Sequence, residues 1–189
     1  MINKKVLLVS LTGTLFCGSA LAGEYIKMWP YKDPNWDPEF NLSVTAGQFD
    51  PSPNGMQNET SLGLQLSLNC PWFGPPVGAL RQQFNLNKVD GDGYDLTTFE
   101  INPRWYAVDG NLRYGAGPGF GYMWIKPESS LLGDESSFTL QVSAAIEYRI
   151  DNISLSAGTR YQHTSNQDMW GSGDGMNNIL TDIKIGFDF

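Results

Sequence analysis

Apolar and polar residues trade places at every step through eight separate stretches of this 189-residue chain, and no other feature limits its fold as much. Successive side chains of a half-buried strand point to opposite faces, whereas an amphipathic helix needs apolar residues at i, i+3 and i+4. Leu62, Leu64, Leu66 and Leu68 alternate with Ser61, Gly63, Gln65, Ser67 and Asn69, with no helical spacing to compete. Upstream, Phe40, Leu42, Val44 and Ala46 oppose Asn41, Ser43, Thr45 and Gly47; downstream, Leu80, Phe84 and Leu86 oppose Arg81, Gln83, Asn85 and Asn87. A fourth stretch sets Phe99, Ile101, Trp105 and Ala107 against Thr98, Glu100, Asn102 and Arg104, with Pro103 weakening the ladder because it has no N–H to give. In the fifth, Tyr114, Ala116, Phe120, Tyr122 and Trp124 face Arg113 and a glycine row, Gly115 to Gly121 at every second position, which suits a narrow interior. The sixth carries Phe138, Leu140, Val142, Ile146 and Tyr148 against Thr139, Gln141, Ser143, Glu147 and Arg149. The seventh carries Ile153, Leu155, Ala157 and Tyr161 against Ser154, Ser156, Arg160 and Gln162, and the last Ile179, Ile183, Ile185, Phe187 and Phe189 against Asp182, Lys184 and Asp188.

Eight such strands make an all-β, eight-stranded antiparallel up-and-down barrel. Two placements satisfy the pattern: a lipocalin-like soluble barrel with its apolar faces buried, or a transmembrane barrel with those faces turned to lipid. The membrane is favoured by strands of about the 9–11 residues a bilayer needs, by Tyr and Trp gathered near strand ends as interfacial girdles, and by the terminal aromatic Phe189. The N-terminus is that of an exported chain. There Lys4 and Lys5 precede an uncharged apolar run and Ala20-Leu21-Ala22, the form of a secretory leader ending at residue 22. Residues 23–38 then read as a periplasmic segment rich in Trp, Tyr and Pro, and residues 39–189 as the barrel. Removing the leader takes Cys17 with it and leaves Cys70 alone, so no internal disulfide is expected. The formal charge of −8 argues against nucleic acid as a partner.

Connection lengths agree with this placement. Transmembrane barrels have tight periplasmic turns and longer outer loops. From a periplasmic start, Asp109-Gly110-Asn111 and Asp151-Asn152 are tight turns, while residues 50–57, 126–135 and 166–176 form longer polar connections. Residues 70–78, with Pro71, Pro75 and Pro76, are long for a periplasmic turn and read as a rigid lip. The terminal Phe189 resembles the C-terminal aromatic signal that the outer-membrane assembly machinery recognises, and outer-membrane lipid and lipopolysaccharide are the expected surroundings. An eight-stranded lumen is filled by its own side chains, so the inward charges Arg81, Glu100, Arg104, Arg113, Glu147, Arg149, Arg160, Asp182 and Lys184 are expected to pair in a structural network instead of lining a pore.

One stretch carries possible chemistry. Arg160-Tyr161-Gln162-His163-Thr164-Ser165-Asn166, followed after a loop by Asp174-Gly175-Met176-Asn177, resembles the H-x-S-N motif of the lipid A 3-O-deacylase family of small outer-membrane barrels. That resemblance implies Ser165 as nucleophile, His163 as general base and Asn166 as an oxyanion donor. The family's His-orienting Glu corresponds to Asn177 here. Counting along the strands places His163 and Ser165 on one lipid-facing side, and Asn177 on the outward phase of the last strand beside them. An amide cannot stabilise an imidazolium as a carboxylate does, and that exchange in a serine protease triad costs on the order of 10⁴ in rate.

Two functions therefore stand open. The leading one is a non-catalytic barrel similar to the OmpA and OmpX type, with a structural or surface-interaction role and no general porin activity; the other is an ester hydrolase acting on lipid A. Nothing calls for a cofactor or metal. Asp90-Gly91-Asp92-Gly93 lacks the further ligands of an EF-hand and marks a hairpin turn.

Overall fold

The computed structural model describes residues 36–53, 56–129, 131–166 and 175–189; the leader, most of the 23–38 segment, Trp170 and Asp174 lie outside the described residues. Eight strands follow in chain order: β1 (Asn41–Pro51), β2 (Glu59–Asn69), β3 (Ala79–Gly91), β4 (Tyr94–Asp109), β5 (Leu112–Pro127), β6 (Glu135–Ile150), β7 (Ile153–Thr164) and β8 (Asn178–Asp188). Each pairs antiparallel with its sequence neighbours, and β1 pairs with β8 from Asn41↔Asp188 to Pro51↔Asn178, closing the barrel. Closure removes the unpaired strand edges that an open sheet would present to the bilayer. The end where β1 starts and β8 finishes is called the base below, and the opposite end the rim.

Two tight turns at the base follow from local chemistry. Gly110 and Asp151 adopt φ of 58° and 49°, the left-handed conformation that two-residue hairpins demand and that Gly and Asp tolerate. Gly93 does the same at the rim with φ 85°, so Asp92-Gly93 is the hairpin turn its sequence indicates.

The alternation read from the sequence is realised as an apolar exterior and a polar interior. Val44, Leu62, Val142 and Ile183 are each about 60% exposed, while Arg81, Glu100, Gln162 and Thr139 are fully buried. Outward rings gather near both ends. Tyr122 and Trp124 contact each other with centroids 4.9 Å apart towards the rim, and Phe40 stacks on Phe189 at 5.9 Å at the base.

Inside, the lumen is filled in three layers. At the base Glu39 holds Arg81, Arg113 and Arg149 through one carboxylate oxygen at 3.1, 3.3 and 3.2 Å, and Arg149 also reaches Glu147 and Asp188. Burial alone would raise the Glu39 carboxyl, but Arg113, Arg81, Asn69 and Arg149 together hold it below the usual carboxylate range. At mid-height Glu100 accepts hydrogen bonds from Thr98, Asn87, Asn102, Gln141 and Gln162 and a charge-assisted one from Arg160 at 2.5 Å. The glycine row of β5 makes room for this layer, since a Cβ on Gly119 would overlap the Asn102 side chain.

The third layer departs from the sequence reading, which placed polar residues on every inward position. Towards the rim the interior is apolar, packed with Phe49, Val89, Tyr94, Leu96, Met123, Ile125, Met176 and Leu180. Strands β4 to β6 run 16 residues each, longer than a bilayer requires. The rim ends of β4 and β5 therefore reach beyond the polar layers and pack there with Phe49 of β1, Val89 of β3 and Leu180 of β8.

Candidate functional site

Strand β7 ends at the rim, and its period sets the candidate residues. Tyr161 and His163 face outward; Arg160, Gln162 and Thr164 face inward and are buried. His163 lies opposite Leu140 of β6, so its imidazole stands on the lipid-facing wall.

Past β7 the chain bends. The Ser165 N–H donates to the Phe138 carbonyl at 2.8 Å, prolonging the β6 pairing by one residue. Its hydroxyl then lies 3.2 Å from the Ser137 hydroxyl. Ser137, which is inward-facing and buried, donates to the Phe138 carbonyl at 3.1 Å and accepts the Asn166 N–H at 3.0 Å. A hydroxyl has a single proton and two lone pairs. Either hydroxyl of the Ser137–Ser165 pair can be the donor, so the two hydroxyls rest against each other. The Asn166 side chain donates to Glu135 at 3.4 Å.

Asn177 sits one residue before β8. Half-buried, its side-chain oxygen accepts the Thr164 N–H at 2.9 Å and the Thr164 hydroxyl at 3.3 Å. The structure thus gathers Ser165 and Asn166 with Ser137 and Glu135 of β6. Among the described residues it does not link His163 to Ser165 or Asn177 by a hydrogen bond. The reason is local: Ser165 is tied to β6 through the Phe138 carbonyl and the Ser137 hydroxyl, and the Asn177 side-chain oxygen is tied to the end of β7 through Thr164.

Sequence reasoning missed Ser137 and Glu135. The polar run 126–135 puts Glu135 in a connection and the period singles out no role for Ser137, yet the register Thr139↔Thr164 carries β6 directly beside the motif. Counting back along a hairpin from its tight turn, Asp151-Asn152, was the signal that could have found them.

Chemically, a serine and a histidine two residues apart can perform acyl transfer once the serine proton passes to the imidazole. The resting arrangement instead sets that hydroxyl against a second serine.

Comparison with solved structures places the fold. The chain superposes on neisserial surface protein A with a TM-score of 0.59 at 12% identity, covering 80% of this chain and 97% of that one. The N-terminal β-barrel domain of Pseudomonas aeruginosa OprF gives 0.54 at 12% identity over 81% of this chain and all of that one. The outer membrane enzyme PagL gives 0.54 at 12% identity over 79% and 99%. At such identities the likeness is one of fold. No curated protein sequence matches the chain. These neighbours are outer-membrane barrels, and the outer membrane is where this chain resides. A family model described as "Lipid A 3-O-deacylase (PagL)" matches residues 58–184, well over half of the length and far beyond the terminal motif, so the chain belongs to that family of outer-membrane β-barrels.

Proposed function

We propose that the chain is an ester hydrolase acting on acyl chains of lipid A in the outer leaflet. The observation that carries this reading is an H-x-S-N sequence at the rim end of β7, its imidazole on the lipid-facing wall, in a chain matched by the deacylase family over residues 58–184. With the base in the periplasm, the rim lies at the level of the lipid A ester groups. Ser165 swings from Ser137 towards His163, passes its proton to the imidazole and attacks the ester carbonyl. Asn166 donates to the oxyanion. As the tetrahedral species collapses, His163 returns the proton to the leaving sugar oxygen, leaving an acyl-serine that water then hydrolyses by the same route. Asn177 in the carboxylate's place makes this a slow enzyme, because a neutral amide does little for the imidazolium.

A second reading, the non-catalytic barrel with a structural or surface role, is favoured by two specific contacts: the Ser165 hydroxyl is hydrogen-bonded to Ser137, and the Asn177 side-chain oxygen accepts from Thr164. The filled lumen supports exclusion of general porin activity in either case. Lipid A mass spectrometry of cells expressing the chain or its Ser165→Ala variant separates the readings. Loss of one acyl chain with the wild type alone supports the hydrolase; identical spectra leave the structural barrel. Recognition of Phe189 by the assembly machinery belongs to both readings, and replacing Phe189 with a charged residue is expected to lower the amount of folded barrel in the outer membrane.

A further inference from the structure

Three connections meet at the base, and one differs in kind. The 110–111 and 151–152 turns are short and flanked or built by Asp and Asn, whereas residues 70–80 contain no charged side chain. Within this stretch Trp72 is 58% and Val77 71% exposed, an apolar presentation with no gain in water.

The geometry shows which way the stretch leans. Its base is closed by the Cys70 N–H donating to the Leu80 carbonyl at 2.7 Å. Gly78 takes φ 80° and approaches so near to β4 that a Cβ would overlap the Tyr106 carbonyl oxygen, so the connection is drawn tight against that strand. The Trp105 indole N–H then donates to the Val77 carbonyl at 2.9 Å. Trp105 stands on the lipid-facing wall, 44% exposed. The Val77 end of the connection therefore continues the lipid-facing surface beside Trp105.

We propose that residues 70–78 are a membrane anchor, with Trp72 and Val77 seated at the headgroup–acyl boundary of the leaflet nearest the base and phospholipid as the occupant of this surface. Three features of the stretch suit that boundary. Indole rings prefer the interface, where one edge is apolar and the other wet. Pro71, Pro75 and Pro76 have no backbone N–H, so the stretch carries few donors that lipid would leave unsatisfied. The Trp105 N–H, on a wall that offers it no water, is satisfied by the stretch itself. This inference rests on the barrel spanning the membrane and is independent of the hydrolase reading.

The test uses the whole barrel folded into phosphatidylcholine vesicles, with and without bromine on the upper acyl carbons. Subtracting the emission of Trp72→Phe from that of the wild type isolates Trp72. The expected result is a blue-shifted component that loses more than half its intensity to brominated lipid and none to aqueous iodide. A red-shifted component quenched by iodide would overturn the proposal by placing Trp72 in water. So would a component insensitive to bromine whose intensity follows the protein-to-lipid ratio, the signature of a second copy. A nitroxide on Val77→Cys in a Cys70→Ser background gives an independent reading: greater collision with oxygen than with a water-soluble nickel complex is expected, and the reverse order sinks the idea.

Discussion

At Ser137 a single hydroxyl decides whether the candidate nucleophile is free. Its oxygen meets the Phe138 carbonyl, the Asn166 N–H and the Ser165 hydroxyl, which holds the Ser165 hydroxyl at β6 instead of at His163. Under the hydrolase reading, Ser137→Ala is expected to raise the initial rate of deacylation several-fold while Ser165→Ala abolishes it, as followed by release of fatty acid from purified lipopolysaccharide. A rate lowered by Ser137→Ala would mean that the contact positions the serine instead of parking it. Asn177→Glu supplies the carboxylate at the position the family motif assigns. It is expected to raise kcat more than KM changes, up to a ceiling on the order of 10⁴ set by triads that lose theirs. Another single residue, Glu39, carries three arginines at φ 41°, held in that left-handed conformation by Arg81 donating to its carbonyl at 2.7 Å. Because its folded carboxyl titrates below the usual range, its contribution to stability is complete at neutral pH and disappears as pH falls through that lowered value. Urea unfolding of the barrel in micelles, repeated at descending pH, should show a step that Glu39→Gln lacks. The H-x-S-N spacing could be read from the sequence because it is local. Ser137, Glu39 and the contact of Asn177 with Thr164 could not, because each depends on a partner brought in by another part of the chain.

Strands β4 and β5 show how far the period reading reaches and where backbone sterics take over. Pairing runs through Ile101↔Phe120 and resumes at Trp105↔Ala116, and in the same register Pro103 falls opposite Pro118, so the ladder is interrupted where neither residue has an N–H. The weakening at Pro103 was visible in the sequence; its pairing with a second proline needed the register. Beside this gap a Cβ on Gly117 would overlap the Pro103 carbonyl oxygen, which is backbone and cannot rotate aside. Gly117→Ala is therefore expected to destabilise the barrel by roughly 1–3 kcal/mol, the usual cost of overpacking. A lower urea midpoint, together with a smaller heat-modifiable fraction on gels, is the readout. Ala116→Gly, one residue away on the lipid-facing side, should leave both nearly unchanged. If the two variants behaved alike, the close approach of β4 and β5 would not be what makes glycine necessary there.

For the whole molecule, the interior determines what can cross it. The sequence pattern gave the outer surface correctly because lipid demands apolar residues at every outward position, but it missed the apolar core near the rim. There Met123 and Ile125 face inward while Trp124 between them faces outward, so both sides are apolar and the alternation that identifies a polar lumen disappears. The result is two seals in series. The rim core excludes water by close packing, and beneath it the Glu100 layer ties β3, β4, β6 and β7 together with its charge neutralised by Arg160. An ion crossing from either end would have to break both, and leaving Glu100 or Arg160 buried and unpaired costs several kcal/mol. Purified barrel in planar bilayers is accordingly expected to show no steady ohmic conductance. Shortening the rim core with Met123→Gly and Ile125→Gly should leave the membrane silent, because the charged layer remains. Adding Glu100→Ala to that pair removes the hub of the second seal and is expected to admit small, noisy currents. Steady current through the wild type would show that the lumen breathes open and would remove the basis for excluding a pore.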